Sequence, residues 1–312
     1  MKAPPHNLAP EYALLAVLAA FWGSSYLLIK LALATLPPVT LIALRVSIAA
    51  VFLLVVLSIK RESLPRGATN WRALFQQSLL NSSVAWLVLA WGQQFVPSGT
   101  AGVLNSTSPL FVLLIGLAGS AWERWRGDAT KSSAPASLKQ ATGVALGLIG
   151  VVLVVGVDAV SGLGQQTFAQ AAVLFGAFLY ACAAITGRRL SHLSPLATAC
   201  GTMLFAVITL VPLALIVDRP WSLSPSLRSL LAATALGVVC TGVALIIYFR
   251  LIKTLGSMGV ASQSYLRAGF SVLLGLLILG EQPTAPVLAG LALTITGVAL
   301  INWPAKGPSR RY

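Results

Sequence analysis

Charge is what this chain has least of. Asp, Glu, Lys and Arg together make 9% of its 312 residues, where soluble domains carry roughly 25%. That shortage excludes an ordinary soluble fold. Acids are the scarcer sign, seven against 21 cations, and the two histidines, His6 and His192, stand alone. A buried enzyme centre needs nucleophile, acid and base at one depth, and a metal site needs clustered ligands. Neither grouping occurs, so no catalysis, metal or cofactor is expected. Cys182, Cys200 and Cys240 all fall inside apolar runs and lack the spacing of a disulfide framework.

Hydrophobic length is what the chain has instead. Ten apolar runs, at about 11–35, 38–59, 71–96, 100–122, 138–156, 169–187, 195–217, 228–250, 257–280 and 284–303, each come close to the ~20 residues that cross a bilayer core. The first run is too long for a signal-peptide core and has no cleavage site before it, so it is read as a span. Sixteen of the Lys and Arg residues lie at the two ends and in the even-numbered gaps between runs; the odd-numbered gaps hold only Arg219 and Arg228. Cations flanking spans stay on the cytoplasmic side. Both termini are therefore expected in the cytoplasm, with the chain crossing the bacterial inner membrane ten times. The net charge of +14 is spread over six cytoplasmic segments, which suits anionic lipid and not nucleic acid.

The chain also repeats itself. Gly143 and Gly150 in the fifth run match Gly290 and Gly297 in the tenth, Glu123 matches Glu281, and Pro38 matches Pro195, at offsets of 147, 158 and 157. The change of offset falls in the long polar loop 123–139. Residues 1–156 form a first five-helix repeat, 157–168 an extracytoplasmic linker with the Gly/Gln-rich stretch 161–166, and 169–312 a second repeat. Because five is odd, the second half enters the membrane upside down. The expected fold is an all-α membrane protein of ten transmembrane helices, two inverted five-helix repeats around a central cavity. Such a pair places a site at the midplane and suits alternating access.

All seven acids, Glu11, Glu62, Glu123, Asp128, Asp158, Asp218 and Glu281, lie at span ends or in loops. A midplane carboxylate relay for protons is therefore not expected, and downhill export is the simpler reading. Three cations lie within spans. Lys30 and Arg45 are ~8 and ~11 Å from the outer ends of their helices, within reach of snorkelling. They either anchor at the interface, cap helix carbonyls or line an outer vestibule. Arg267 is ~15 Å deep and has to meet backbone carbonyls or a substrate carboxylate, not lipid. Polar islands at 81–83, 105–109 and 262–265 should turn inward, and Pro109 frees a carbonyl near Asn105. Asn81, Asn105, Gln263 and Arg267 are the candidate polar contacts, with Ser and Thr serving either as contacts or as helix–helix bonds. Trp22, Tyr26, Trp86, Tyr180, Tyr248 and Tyr265 are the candidate apolar walls, for a small, partly apolar solute. The cavity is expected between spans one, three, four, six, eight and nine, and the glycine seams are expected to pack helices.

Phe21-Trp-Gly-Ser-Ser-Tyr-Leu-Leu-Ile-Lys30, the following Pro37-Pro38 and Leu44-Arg45 resemble the opening of the drug/metabolite transporter superfamily, in its EamA-type ten-helix branch. Residues 98–111 are similar to that family's fourth span, and Leu279-Gly-Glu281-Gln-Pro283 to the end of its ninth. Where its ninth span usually carries an acid and a proline, this chain has Arg267-Ala268. The resemblance implies a secondary transporter, in pattern nearest to YddG-like bacterial amino-acid exporters, handling a small-molecule substrate as a monomer or weak homodimer. Export of other metabolites or drugs, and nucleotide-sugar exchange, stay open alternatives; a channel or a membrane enzyme fits less well.

Overall fold

In hydrocarbon every backbone N–H and C=O must find its partner within the protein, which leaves helix as the default for each apolar run. The computed structural model describes residues 9–125, 138–155, 165–261 and 263–302, and within them not the side chains of 123–125, 138–140, 155, 252–253, 256–259, 261, 265, 298 and 301–302. The described residues form ten helical spans and no strand. They are α1 (Ala9–Ala32), α2 (Pro38–Ile59), α3 (Ala68–Gly92), α4 (Ser98–Asn105 and Ser108–Trp125), α5 (Leu138–Val155), α6 (Gln165–Thr186, extended by a 3₁₀ turn Gly187–Leu190), α7 (Pro195–Val217), α8 (227–261), α9 (Gln263–Leu279) and α10 (Ala285–Asn302). Seven are long and apolar enough to cross a membrane by themselves; α5, α9 and α10 carry shorter apolar stretches, Ala141–Val154, Leu266–Leu279 and Ala285–Gly297.

Local chemistry sets several boundaries. Pro38 and Pro195 open α2 and α7, where a missing N–H costs no helical bond. Ser194 and Ser226 cap α7 and α8 by accepting from Ala197 N at 3.1 Å and Ser229 N at 3.2 Å. Just beyond α2 and α7, Arg61 and Arg219 take left-handed φ values of 53° and 48°, the conformation that commonly ends a helix.

The ten helices pair as an inverted repeat requires. α5 lies on α10, α2 on α7, and α4 on α9, each on its own counterpart; α3 against α6 is mirrored by α8 against α1, and α1 against α9 by α6 against α4. Both α3 and α8 carry a π-helical turn at the matching place, Leu79–Ser83 and Val238–Val243. The glycine seams form the α5–α10 contact. A Cβ on Gly150 would stand 2.5 Å from Thr294 Oγ1 and 2.8 Å from Gly290 O, and one on Gly297 would stand 2.5 Å from Gly143 O. α6 begins at Gln165, four residues before the expected 169. The chain ends, the loop 126–137 and the linker stretch 156–164 lie outside the described residues.

Candidate functional site

A cavity of about 1040 Å³ opens between the two halves. Its walls come from α1, α3, α4, α6, α8 and α9, as the polar and aromatic pattern indicates, and also from α7 through Pro195, Thr198, Ala199 and Thr202. No described residue of α2, α5 or α10 lines it. It runs from Arg267 in the middle of the bundle to Ser120, Arg188, Ser191 and Pro195 at one end, the end where the gaps between spans are rich in Lys and Arg.

The opposite end is shut by bonds between the halves. The Glu281 carboxylate, just past α9, accepts from Ser98 N (2.8 Å), Ser98 Oγ (2.9 Å) and Gly99 N (3.1 Å) at the start of α4. Asp218, just past α7, accepts from Thr40 N (2.7 Å) and Thr40 Oγ1 (2.9 Å) in the first turn of α2. Each carboxylate meets the positive end of a helix dipole. Ser229 Oγ of α8 donates to Leu31 O of α1 at 3.2 Å. Lys30 settles on the carbonyl-capping alternative: its Nζ donates to Gln93 O (2.8 Å) and Val96 O (3.2 Å), beyond the end of α3. At the open end Glu62 accepts from Ser194 Oγ at 2.5 Å and Glu11 pairs with Arg250 at 2.7 Å.

Inside the cavity, the sequence accounts for the polar floor residue by residue. Pro109 has no N–H, so Asn105 O loses its helical partner, and α4 breaks there into a turn at Ser106-Thr107. Two groups take the freed carbonyl: Ser108 Oγ at 3.0 Å and Arg267 Nη2 at 3.3 Å. Arg267 is 9% exposed, and its Nε has no hydrogen-bond partner among the described residues. Gln263, one turn earlier on α9, lines the cavity with its Oε1 likewise unpaired. Asn105 does not line the cavity; it is buried beneath it, with Nδ2 donating to Tyr26 OH at 2.6 Å and Oδ1 unpaired. Tyr26 is also buried behind the wall, holding Asn105 in place. Asn81 reaches the cavity from the π turn of α3 and donates to Ser82 Oγ at 3.3 Å.

Trp22, Trp86, Tyr180 and Tyr248 all line the cavity, Trp22 and Tyr248 with ring centroids 5.2 Å apart. The side chain of Tyr265 lies outside the described ones. Arg45 is placed otherwise than the depth of its own helix indicates. Its guanidinium is 3% exposed and sits 3.8 Å above the Trp86 ring, a cation–π contact. Its Nε donates to Thr241 Oγ1 at 2.9 Å. Thr241 in turn donates to Leu236 O, five residues back, at 2.8 Å, so the π turn of α8 is what presents this hydroxyl. Trp86 and Thr241 line the cavity, and Arg45 stands directly behind them. Sequence reasoning missed Thr241 and the α7 threonines. Thr198 and Thr202, spaced i, i+4, were the available signal, but their hydroxyls also bond Ser194 O and Thr198 O of their own helix.

The profile of the EamA-like transporter family matches residues 10–118 and 167–303. An uncharacterized inner membrane transporter, YedA of Escherichia coli K12, is 26% identical over 96% of this chain and 94% of its own length. An uncharacterized transporter of Archaeoglobus fulgidus is 25% identical over 93% of this chain and 96% of its own. A probable terminal-alkyne amino-acid exporter of Streptantibioticus cattleyicolor is 26% identical over 72% of this chain and 70% of its own. A solved crystal structure superposes with a TM-score of 0.65 at 16% identity, covering 94% of this chain and 96% of that one; at that identity the likeness is one of fold.

Proposed function

The chain belongs to the EamA-like transporter family, a multi-pass membrane transporter, and we propose that it exports amino acids or related small metabolites across the bacterial cytoplasmic membrane by alternating access. One observation carries this reading. A cavity between inverted halves is open at one end and, at the other, shut by carboxylate-to-helix bonds that cross from half to half. Rocking one half against the other would break those bonds and expose the same floor to the opposite side. In this reading the Lys/Arg partition puts the open end in the cytoplasm, the side on which an exporter takes up its solute. The helices α1–α5 and α6–α10 are then the moving halves, and a monomer suffices.

Amino acids suit the lining. Arg267 offers a guanidinium donor beside neutral amides, and Trp22, Trp86, Tyr180 and Tyr248 offer apolar walls. The relative named as a terminal-alkyne amino-acid exporter is a solute-class precedent. The test is flux of a radiolabelled panel of amino acids and organic acids through the purified protein in liposomes. Saturable flux of apolar carboxylated solutes is expected; flux confined to sugars or to cationic drugs contradicts the proposal.

A further inference from the structure

Three of the buried polar atoms that lack a partner among the described residues belong to linked or adjacent residues: Arg267 Nε, Gln263 Oε1 and Asn105 Oδ1. Gln263 and Arg267 stand one turn apart on α9, and Asn105 is the residue whose carbonyl holds Arg267 Nη2. Away from water an unpaired polar group is costly, and native structures leave few of them. A cluster of one cationic donor and two neutral acceptors, two of the three residues facing a cavity, is the complement of a ligand bearing an anion next to an N–H.

The fixed charges around it have one sign. Arg267 faces the cavity, Arg45 lies behind Trp86 and Thr241, and Arg188 stands at the mouth. No carboxylate occurs among the described lining residues, and every acid of the sequence lies at a span end or in a loop. An ammonium brought to this corner would lose its water and face two guanidiniums across a medium of low dielectric. An acylated amine offers Gln263 the same N–H bond without that repulsion.

Resting on the export reading above, we propose that this corner recognises a carboxylate whose α-carbon bears an N–H donor, and reads the nitrogen as a donor and not as a charge. The carboxylate takes Arg267 Nε, and the N–H points to Gln263 Oε1 with Asn105 Oδ1 behind it. N-acylated amino acids, net anions, are then carried at least as well as the free zwitterions, and amino-acid amides, net cations, are refused.

Four phenylalanine-shaped probes separate these features: N-acetylphenylalanine, phenylalanine, 3-phenylpropanoate and phenylalaninamide. Trp22 and Trp86 line the cavity, so tryptophan fluorescence of the purified protein reads binding. N-acetylphenylalanine should bind at least as tightly as phenylalanine, 3-phenylpropanoate about tenfold more weakly for want of one hydrogen bond, and phenylalaninamide without saturation. Gln263→Leu should bring N-acetylphenylalanine and 3-phenylpropanoate to about the same affinity, and Arg267→Gln should erase the preference for carboxylates over the amide. Phenylalaninamide binding as tightly as phenylalanine would overturn this recognition while leaving an amino-acid exporter standing. Binding of none of the four would overturn both. Equal affinity of 3-phenylpropanoate and N-acetylphenylalanine in the unsubstituted protein would remove the N–H contact from the proposal.

Discussion

A guanidinium in the membrane has to be bonded by something, and the two in this protein solve the problem differently. Arg267 takes the carbonyl that Pro109 sets free and keeps Nε in reserve. The freed carbonyl was readable, because proline's effect on the residue four back is fixed by its ring; that Arg267 is what takes it was not. Arg45 was not readable: depth counted along its own helix puts it near the surface, whereas Trp86 and Thr241 come to it from α3 and α8. Thr241→Val removes Arg45's acceptor and the bond to Leu236 O together. A loss of ~1–3 kcal/mol is expected, seen as a lower melting midpoint of the purified protein in detergent; an unshifted midpoint would show Arg45 bonded elsewhere. The acids carry a second prediction. Glu281 and Asp218 spend their oxygens on helix N-termini at the closed end, and no acid stands among the described residues that line the cavity. Collapsing the pH gradient across liposomes should leave downhill flux nearly unchanged. A strict need for the gradient would make Glu281, which must release Ser98 and Gly99 when that end opens, the first residue to suspect.

Ten spans were legible because hydrocarbon leaves an apolar run of that length little choice but helix. The break in α4 was not read, although the carbonyl that Pro109 frees at the same place was. The π turns of α3 and α8 were not. No proline or glycine pattern announces them, and they are visible only as a shift of backbone register that turns Asn81 and Thr241 toward the cavity. The part played by α7 was hidden as well, since threonines bonded to their own helix look the same in sequence whether they face a cavity or a neighbour. The glycine seams, by contrast, were placed correctly. Gly297→Leu should wedge α10 off α5, where a Cβ alone already meets Gly143 O at 2.5 Å. Overpacking of this kind costs ~1–3 kcal/mol. Since no described residue of either helix lines the cavity, the protein that remains folded should keep its order of substrate preference while melting earlier. A changed order with an unchanged melting midpoint would mean that the seam reaches the site.

The whole molecule follows from an odd number. Five spans per half force the second half to enter inverted, and the helix pairing of α1–α5 with α6–α10 has that symmetry. What breaks it is the state: one end shut by Glu281, Asp218 and Ser229, the other open past Arg188. Orientation rests on the Lys/Arg partition, so reporter domains fused after Tyr312 and within 157–167 should report opposite sides of the membrane, cytoplasmic for the first. A periplasmic C-terminus would reverse the direction of loading. That one end is shut while the other is open is the core of the account, because a carrier must close one side before it opens the other and a channel need not. Counterflow tests this most directly. Liposomes holding this protein and loaded with unlabelled substrate should take up labelled substrate faster than empty ones, and transiently against its own gradient. Uptake indifferent to what lies on the far side would show an open pore and contradict alternating access.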